Sequence, residues 1–401
     1  MAAYDIVAAV IGVGFIGPLH VEALRRIGVH VSGVAGATEE EAVRVASTLG
    51  LQRAYRSVEE LLADRSVDAV HVASPNRLHA SHVLAALDAG KHVICEKPLA
   101  MSVDEARLLV QASAARPAQI AAVNYNLRFY PQVLQARALC RAGEIGRTFH
   151  LSGSYVQDWL LEPTDFNWRV LRSEGGALRA VGDIGTHWMD MVTFITGDRI
   201  VAVSSDLRTV HPTRFAPIAD PHRTFGSTAS SDSRQPVAID TEDYAGILLR
   251  FASGLRGVLA VSQVTAGRKN ALRWELAGSA KAMAWDSETP NQLWIGERHE
   301  ANRLLLKDPS LLRLEAAKFA SYPGGHTEGF ADTFKQAFRA IYDDIRAGAS
   351  SAPLYATFAD GLEEMCVCDA IVRSHEEGRW VDVPAQNAAG VDAAAPAATA
   401  G

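Results

Sequence analysis

The chain has 401 residues, enough for two domains of ordinary size, and 48% hydrophobic with 21% charged residues is typical of a globular protein. A net charge of −7 without a basic tract argues against a nucleic-acid partner. No apolar run reaches the length of a membrane span, and the first residues lack the basic region and apolar core of a signal peptide. We therefore expect no membrane partner and a cytoplasmic location.

The cysteines predict no metal centre. Cys366 and Cys368 form a C-x-C pattern in an apolar helical stretch, and no second pair is spaced to complete a zinc site. Reduced thiols fit the expected cytoplasmic location.

The first predicted element is a buried strand over residues 5–11, which is short, apolar and partly β-branched. Gly12, Gly14 and Gly17 follow in G-x-G-x-x-G spacing, and a helical pattern continues to Ile27. In a dinucleotide site the first glycine makes a tight turn, the second admits the pyrophosphate, and the third allows close packing. The helix N-terminus then offers amides to phosphate. This context favours a dinucleotide, although a tight turn without a ligand can show the same spacing.

The second strand, at about 29–35, bears on which dinucleotide is bound. An Asp or Glu at its end would bind the ribose 2′-hydroxyl of NAD, but Gly36 follows here. No Arg or Lys is present in the turn to bind the 2′-phosphate of NADP. The acidic run at 39–41 would repel that phosphate if it is close, although acids in a first turn also simply favour the start of the next helix. The sequence slightly favours NAD over NADP.

Strands and helices then alternate, which predicts a parallel, doubly wound sheet. We expect helices at about 39–49, 57–63, 77–89 and 103–115, and strands at 68–73, 92–95 and 118–123. Ligands of such sheets bind beyond the carboxyl ends of the strands. Three polar turns follow strand ends and should line one edge together: Ser74-Pro75-Asn76, Glu96-Lys97-Pro98 and Asn124-Tyr125-Asn126.

Lys97 is the first candidate for a catalytic residue. It ends a short apolar strand, where an ammonium group is unusual because removing it from water is costly. Pro98 stops the strand, because proline donates no hydrogen bond to a neighbour. An isolated Glu-Lys-Pro could be an ordinary surface turn. The glycine turn upstream and an Asp/His pair downstream make Lys97 the candidate for the centre of an active site.

After Asn126 the pattern changes to hairpin-linked strands, which predicts an antiparallel sheet carrying several helices. We expect strands at about 148–159, 200–206, 244–251, 255–265, 272–277 and 283–286, and helices at 131–142, 326–347 and 357–376. Residues 211–240 are polar and too many for an ordinary loop, so a lid, a partner-facing arm and a solvated insertion are all open. The Ala-rich tail from Pro384 is expected to be disordered.

Asp183 and His187 lie near the start of a helical pattern over residues 184–195. Their spacing of four places both side chains on one face of a helix. A carboxylate can orient a neighbouring imidazole and stabilise its protonated form, so His187 is a candidate general base. An N-capping Asp and a surface His would show the same spacing.

These features together resemble the glucose–fructose oxidoreductase / inositol dehydrogenase (Gfo/Idh/MocA) family over about residues 4–383. The motifs that carry the resemblance are AVIGVGFIGPLH, ASPNRLH, CEKPLA, NYNLRFYP, GEIG, GDIGTHWMD, GGHTEGF and TFADGLEE. The family implies an N-terminal Rossmann domain (1–125) and a C-terminal α+β domain (126–383) with an open-faced, mainly antiparallel sheet. Because an open sheet face has to be covered, we expect a homodimer or homotetramer.

The resemblance also implies roles for residues matched by position. The implied catalytic residues are Lys97, Asp183 and His187. The implied cofactor contacts are Gly12, Gly14, Phe15, Ile16, Gly17, Thr38, Ser74, Pro75, Asn76, His79, Glu96, Lys97 and Asn124. The implied substrate contacts are Arg128, Asp158, Trp168, Arg169, Asp183 and His187.

The implied activity is hydride transfer between a nicotinamide cofactor and a secondary alcohol of a sugar, glycoside or inositol. His187 would take the hydroxyl proton, Lys97 would stabilise charge on the oxygen, and Asp183 would orient His187 or bind a neighbouring hydroxyl. The same residues would serve an NAD-recycling glycoside hydrolase. A non-catalytic dinucleotide sensor and a reductase of another carbonyl are the remaining alternatives.

Overall fold

The computed structural model describes residues 4–218 and 233–386. Its first sheet has the strand order β17-β6-β5-β4-β1-β2-β3 within those ranges, and all neighbours are parallel except β17 and β6. The strands are β1 (Val7–Ile11), β2 (His30–Ala35), β3 (Arg53–Tyr55), β4 (Ala69–Val72), β5 (His92–Cys95), β6 (Ala121–Val123) and β17 (Ala356–Thr357). The intervening helices are α1 (Ile16–Ile27), α2 (Glu39–Leu49), α3 (Val58–Ala63), α4 (His79–Asp88) and α5 (Val103–Ala114). The predicted doubly wound sheet is confirmed.

The second sheet follows the strand order β16-β15-β14-β13-β7-β12-β11-β8-β18 in the described part of the chain. Its strands are β7 (Thr148–Val156), β8 (Ile200–Arg208), β11 (Tyr244–Phe251), β12 (Arg256–Ser262), β13 (Ala271–Gly278), β14 (Ala282–Asp286), β15 (Gln292–Gly296), β16 (Arg303–Leu306) and β18 (Val381–Asp382). All neighbours are antiparallel except β7 and β12, so the predicted mainly antiparallel sheet is also confirmed.

One face of this second sheet is covered and the other is open. Along β11 buried and exposed positions alternate, so Ile247 and Leu249 face the core while Leu248 stays 48% exposed. The second domain's helices are α6 (Pro131–Arg141), α7 (Arg172–Gly175), α8 (Thr186–Thr196), α9 (Leu314–Ala317), α10 (Phe330–Ala347) and α11 (Phe358–Glu377). Helix α11 packs on β8.

Residues 219–232 of the segment at 211–240 lie outside the described part of the chain. The rest of this segment forms the two antiparallel strands of a hairpin, β9 (Thr213–Pro217) and β10 (Arg234–Ala238). It is not merely a solvated insertion, because Arg214 of β9 is fully buried. Leu160 and Val170, from the segment that precedes α7, form a small separate hydrophobic cluster with Ile239 beside β10. The predicted disordered tail lies outside the described residues from 387 onwards.

Two further features differ from the sequence expectations. The helix carrying His187 begins with a π-helical turn, Val181–Gly185, so Asp183 lies inside that turn. Near the C-terminus β17 returns to pair with β6, and α10 packs on α1. The described C-terminal residues therefore contribute to both sheets. No helix in the ranges described is long and apolar enough to cross a membrane.

Candidate active site

The glycine turn between β1 and α1 is closely packed on one side and open on the other. Gly12 has φ +107°, and a Cβ there would lie 2.2 Å from the carbonyl oxygen of Ala73. A Cβ at Gly17 would lie 2.0 Å from the Gly12 oxygen, which explains the third glycine. A Cβ at Gly14 would meet nothing within 4 Å. The turn therefore presents open backbone at Gly14, where a dinucleotide site needs close approach.

The candidate active site is the crevice where the carboxyl end of β5 meets the turn Val181–Gly185, and Lys97 and Asp183 form its centre. The Lys97 Nζ donates to the backbone oxygen of Asp183 at 2.6 Å and to its Oδ1 at 3.0 Å. Arg169 Nε lies 3.6 Å from the same Oδ1. Burial acts to raise the pKa of Asp183, but the charges of Lys97 and Arg169 outweigh it and hold the pKa well below its ordinary value. The carboxylate is therefore ionised at neutral pH.

His187 lies beside this pair in an aromatic pocket. Its ring centroid is 5.6 Å from that of Tyr125 and 6.4 Å from that of Tyr155. Burial, and then the charge of Lys97, lower the pKa of His187 from 6.5 to about 3, so the imidazole is neutral and able to accept a proton. Its buried Nδ1 has no hydrogen-bond partner in the described structure.

Asp183 does not orient His187 by a hydrogen bond, contrary to one of the two roles expected for it. Its Oδ1 accepts from Lys97, and its Oδ2 accepts from Gln263 Nε2 at 2.8 Å. The π-helical turn places the carboxylate toward Lys97. Asp183 thus acts on the lysine, while packing between Tyr125 and Tyr155 holds the imidazole.

Glu96 precedes Lys97 in the turn after β5, and its buried side chain is ionised. Its Oε1 accepts from His20 Nε2 at 2.9 Å and from Asn124 Nδ2 at 2.5 Å, and its Oε2 accepts from the Lys97 amide at 3.2 Å. Burial would raise the pKa of Glu96, but these partners lower it to about 2. His71 extends the chain through its Nδ1, 2.9 Å from that of His20. This network fixes the turn that carries Lys97.

The residues at the carboxyl ends of the strands of the first sheet fit a nicotinamide dinucleotide. Asn124 Oδ1 is buried without a partner in the described structure, as expected for an atom that meets a ligand. Helix α1 begins at Ile16 beside the glycine turn. The side chain at its N-cap position, Phe15, makes no capping hydrogen bond to the first amides of the helix, which can therefore face a phosphate. At Gly36 a Cβ would lie 3.0 Å from Val13 Cγ2 and 3.1 Å from the Thr38 oxygen, so an Asp there would be crowded.

Other predicted cofactor residues lie in the turns that follow the strands of the first sheet. Thr38 caps α2, since its Oγ1 accepts from the Glu41 amide at 3.3 Å. After β4, Ser74-Pro75-Asn76 leads into a 3-10 turn, and Asn76 Nδ2 donates to the Gly175 oxygen at 3.1 Å. His79 lies 2.7 Å from the Pro98 oxygen and 2.9 Å from the Ser74 oxygen. It ties the two turns together.

Two predicted substrate residues are engaged elsewhere. The buried Arg128 donates to Asp190 through Nε and Nη2, at 2.9 and 2.5 Å, and lies 3.3 Å from Asp360. A guanidinium satisfied by two carboxylates stabilises the fold and has little left to offer a substrate. Asp158 Oδ2 accepts from Lys269 Nζ at 2.7 Å and from the Gly267 amide at 3.1 Å. By contrast, Arg169 stacks on Trp168 at 4.4 Å and reaches Asp183.

Sequence reasoning missed Gln263 and Tyr155, which complete the site. Gln263 is fully buried at the end of β12, 80 residues from the carboxylate it binds. Tyr155 donates to Asn270 Oδ1 at 2.7 Å while its ring faces His187. Neither residue had a distinguishing signal in one sequence, because a polar residue near a strand end is common. In the part of the chain described, no group of three or more His, Cys, Asp or Glu side chains is arranged to hold a metal ion.

Comparisons with known proteins agree with this geometry. Residues 6–125 match a family described as an oxidoreductase family with an NAD-binding Rossmann fold, and residues 133–284 match the GFO/IDH/MocA C-terminal domain. A levoglucosan dehydrogenase of Pseudarthrobacter phenanthrenivorans is 29% identical over 354 residues, 88% of this chain and 89% of that protein. An uncharacterized oxidoreductase of Rhizobium meliloti is 30% identical over 89% of this chain and 92% of its own length.

A solved structure has the same architecture. Levoglucosan dehydrogenase in complex with NADH and levoglucosan matches with a TM-score of 0.84 at 28% identity, covering 94% of this chain and 99% of that one. The chain therefore belongs to the Gfo/Idh/MocA family of oxidoreductases and carries that family's NAD-binding Rossmann fold.

Proposed function

We propose that the protein is an NAD-dependent dehydrogenase that oxidises a secondary alcohol of a sugar, glycoside or inositol. The observation that carries this proposal is the arrangement at the crevice, where an ion-paired Lys97 lies next to a neutral, buried His187. The similarity to levoglucosan dehydrogenase supports a cyclic polyol and makes levoglucosan the first substrate to test.

The described side chains can divide the reaction between them. His187 accepts the hydroxyl proton, because its imidazole is neutral at neutral pH. Lys97 donates a hydrogen bond to the same oxygen and stabilises the negative charge that develops there. Asp183 and Glu96 hold the lysine turn in place. The nicotinamide, when bound, supplies the acceptor for the hydride that leaves the carbinol carbon.

NAD is favoured over NADP by the end of β2. The crowded Gly36 is followed by Thr38 and by acids in the first turn of α2, Glu39 to Glu41. These acids favour the helix N-terminus but repel a 2′-phosphate. No Arg or Lys of the turn is available to bind that phosphate.

The test is the absorbance of NADH when the protein is mixed with NAD or NADP and a panel of polyols. The panel contains levoglucosan, free monosaccharides, aryl glycosides and inositols. An NAD-specific rise with one class supports the proposal. Release of the aglycone without net NADH would instead indicate an NAD-recycling glycoside hydrolase. Cofactor binding without turnover of any compound would contradict the dehydrogenase.

We also propose that the protein forms a homodimer or homotetramer through the open face of the second sheet. Leu248 and Val258 are paired across β11 and β12 near the middle of that face, and they are 48% and 44% exposed. Apolar side chains in the centre of a sheet face are typical of an interface. We also propose a cytoplasmic location, because buried thiols such as those of Cys95 and Cys368 persist in a reducing compartment.

A further inference from the structure

Gln263 connects the catalytic pair to a buried charge network. Its side chain is fully buried at the end of β12, and its Nε2 donates to Asp183 Oδ2 at 2.8 Å. The opposite carboxylate oxygen, Oδ1, accepts from Lys97. The two donors therefore hold the carboxylate from both sides.

The orientation of the Gln263 amide is determined by its neighbours. Arg179 Nη1 lies 2.7 Å from Gln263 Oε1, and a guanidinium can only donate. The amide oxygen must therefore face Arg179, which turns the NH₂ group toward Asp183. The reverse orientation would place two donors against each other and an oxygen against the carboxylate. Arg179 thus ensures that Asp183 meets a donor.

Arg179 is itself held from several sides. Its Nη2 donates to Asp243, and its backbone amide donates to the carboxylate of Glu242 at 2.9 Å. Glu242 also accepts from the Val181 amide at 2.8 Å, the first residue of the π-helical turn. Asp243 therefore fixes the guanidinium, while the adjacent Glu242 fixes the backbone that leads to Asp183.

We propose that Gln263 is a positioning residue, oriented by Arg179, that keeps the Asp183 carboxylate against Lys97. This inference rests on the proposed function, because it assigns Gln263 a part in supporting the catalytic lysine. Without the amide donor, Asp183 loses the hydrogen bond to its Oδ2 and is held by side chains only at Oδ1, so the carboxylate can rotate away. Lys97 would then lose its fixed position toward the substrate oxygen.

The first test replaces the Gln263 side chain with one of similar size that cannot donate a hydrogen bond. Gln263→Met removes the donor, and a lost hydrogen bond to a charged group predicts a fall in kcat of about tenfold or more. KM for NAD should stay unchanged. The matched control is Gln132→Met, since Gln132 is equally buried but donates to the carbonyls of Asn291 and Leu305. Equal kcat losses in the two variants would overturn the proposal.

The second test uses pH and separates positioning from stability. In Gln263→Glu the introduced carboxyl faces Arg179 on one side and Asp183 on the other, with Lys97 and Arg169 beyond Asp183. Protonated, it can still donate to Asp183; ionised, it repels that carboxylate. The ratio of variant to wild-type kcat should therefore rise as pH falls from about 8 to about 5. A flat ratio would overturn the proposal, because a merely structural role has no such dependence.

A third measurement needs no turnover and so distinguishes this inference from the proposed function. Acetic anhydride labels free amines, and labelling at Lys97 can be followed by peptide mass spectrometry with Lys281 as an internal reference. Lys97 Nζ is protected by two bonds to Asp183, so Gln263→Met should label faster at Lys97 than wild type or Gln132→Met. Unchanged labelling would overturn the inference, even if no polyol is ever oxidised. Faster labelling would support it in the same case.

Discussion

Lys97 is held in place by Asp183, from a distant part of the chain, and by the adjacent Glu96. The Lys97 ammonium group donates to two oxygens of Asp183, and Glu96 accepts a hydrogen bond from the Lys97 backbone amide. These carboxylates stay ionised in spite of burial, since the pKa of each is held below its ordinary value. The crevice therefore contains a fixed cation beside a neutral base. Hydrogen-bond donors fixed in advance stabilise a developing oxyanion better than water does.

Replacing Lys97 tests that electrostatic role. We expect Lys97→Met to lower kcat about 100-fold or more, the usual effect of removing a donor that stabilises developing charge. NADH binding, followed by fluorescence, should largely survive. Lys281→Met is the control, because it removes a lysine whose partner is Glu144, outside the crevice. Wild-type turnover in Lys97→Met would contradict the assignment.

The neutral His187 predicts a pH dependence of stability. Its pKa is about 3 in the folded protein against an ordinary 6.5, so between these values only the unfolded chain binds the proton. Stability from this group is therefore complete above pH 6.5 and is lost as pH falls toward 3. Below about pH 5.5 the free energy of unfolding should therefore fall by about 1.4 kcal/mol for each unit that the pH is lowered, because the unfolded chain binds one proton more than the folded protein.

Urea unfolding of wild type and His187→Gln between pH 7.5 and 4.5 would measure this effect. The variant lacks the titrating ring, so its free energy of unfolding should fall less steeply with decreasing pH. The two curves should converge as the pH is lowered. Parallel curves would show that His187 keeps an ordinary pKa in the folded protein.

Spacing in the sequence was sufficient to find the main candidate residues but not their partners. Lys97 follows a recognisable strand, and Asp183 and His187 lie within one helical repeat. Arg128 was expected at the substrate, yet it pairs with Asp190, 62 residues away. Gln263 was missed for the same physical reason. Contacts between distant segments depend on how the elements pack, which local periodicity does not encode.

At the scale of elements, strands with strong apolar character were located well. The predicted bounds of β5 and β11 match the structure, while β15 and β16 were not predicted. β15 is only five residues long and β16 four, and polar residues flank both. The hairpin of β9 and β10 was likewise hidden in a polar segment. Its attachment to the rest of the domain depends on the buried Arg214 and on the small apolar cluster that includes Ile239.

Arg214 anchors the segment that carries Trp168 and Arg169. Its guanidinium donates to the carbonyls of Leu160, Glu162 and Asp165 at 2.9 to 3.0 Å, and to Asp243 at 2.6 Å. The hairpin is thereby bound to the segment whose Arg169 contacts Asp183 of the proposed catalytic pair.

Arg214→Met should therefore raise KM for the polyol while leaving NADH binding unchanged, because only the substrate side of the crevice loosens. Breaking a buried pair also predicts a loss of about 3 kcal/mol in the free energy of unfolding. Steady-state kinetics below the melting temperature, with a urea titration, would measure both. Arg234→Met is the matched control, since Arg234 is exposed on the same hairpin and donates to Thr164 and Phe215 carbonyls. An unchanged KM in folded Arg214→Met would contradict this role.

At the scale of the whole molecule, the crevice is assembled from both sheets. Lys97 follows a strand of the first sheet, Gln263 follows a strand of the second, and Asp183 lies between them on a helical turn. The alternation of strands and helices predicted the two architectures separately. It could not predict that β17 rejoins the first sheet, because a two-residue strand has no detectable periodicity. The geometry of the proposed active site therefore depends on the two sheets being held together.

The open face of the second sheet predicts the assembly state. Replacing Leu248 or Val258 with Glu introduces a charge at the centre of that face, while the sheet's buried side is untouched. We expect each variant to form an assembly of lower mass than that of the wild type, as measured by light scattering, because burying an unpaired carboxylate in an interface is costly. Val43→Glu is the control, since Val43 is 51% exposed on α2 of the first domain. A monomeric wild type, or variants that keep the wild-type mass, would show that this face stays in water.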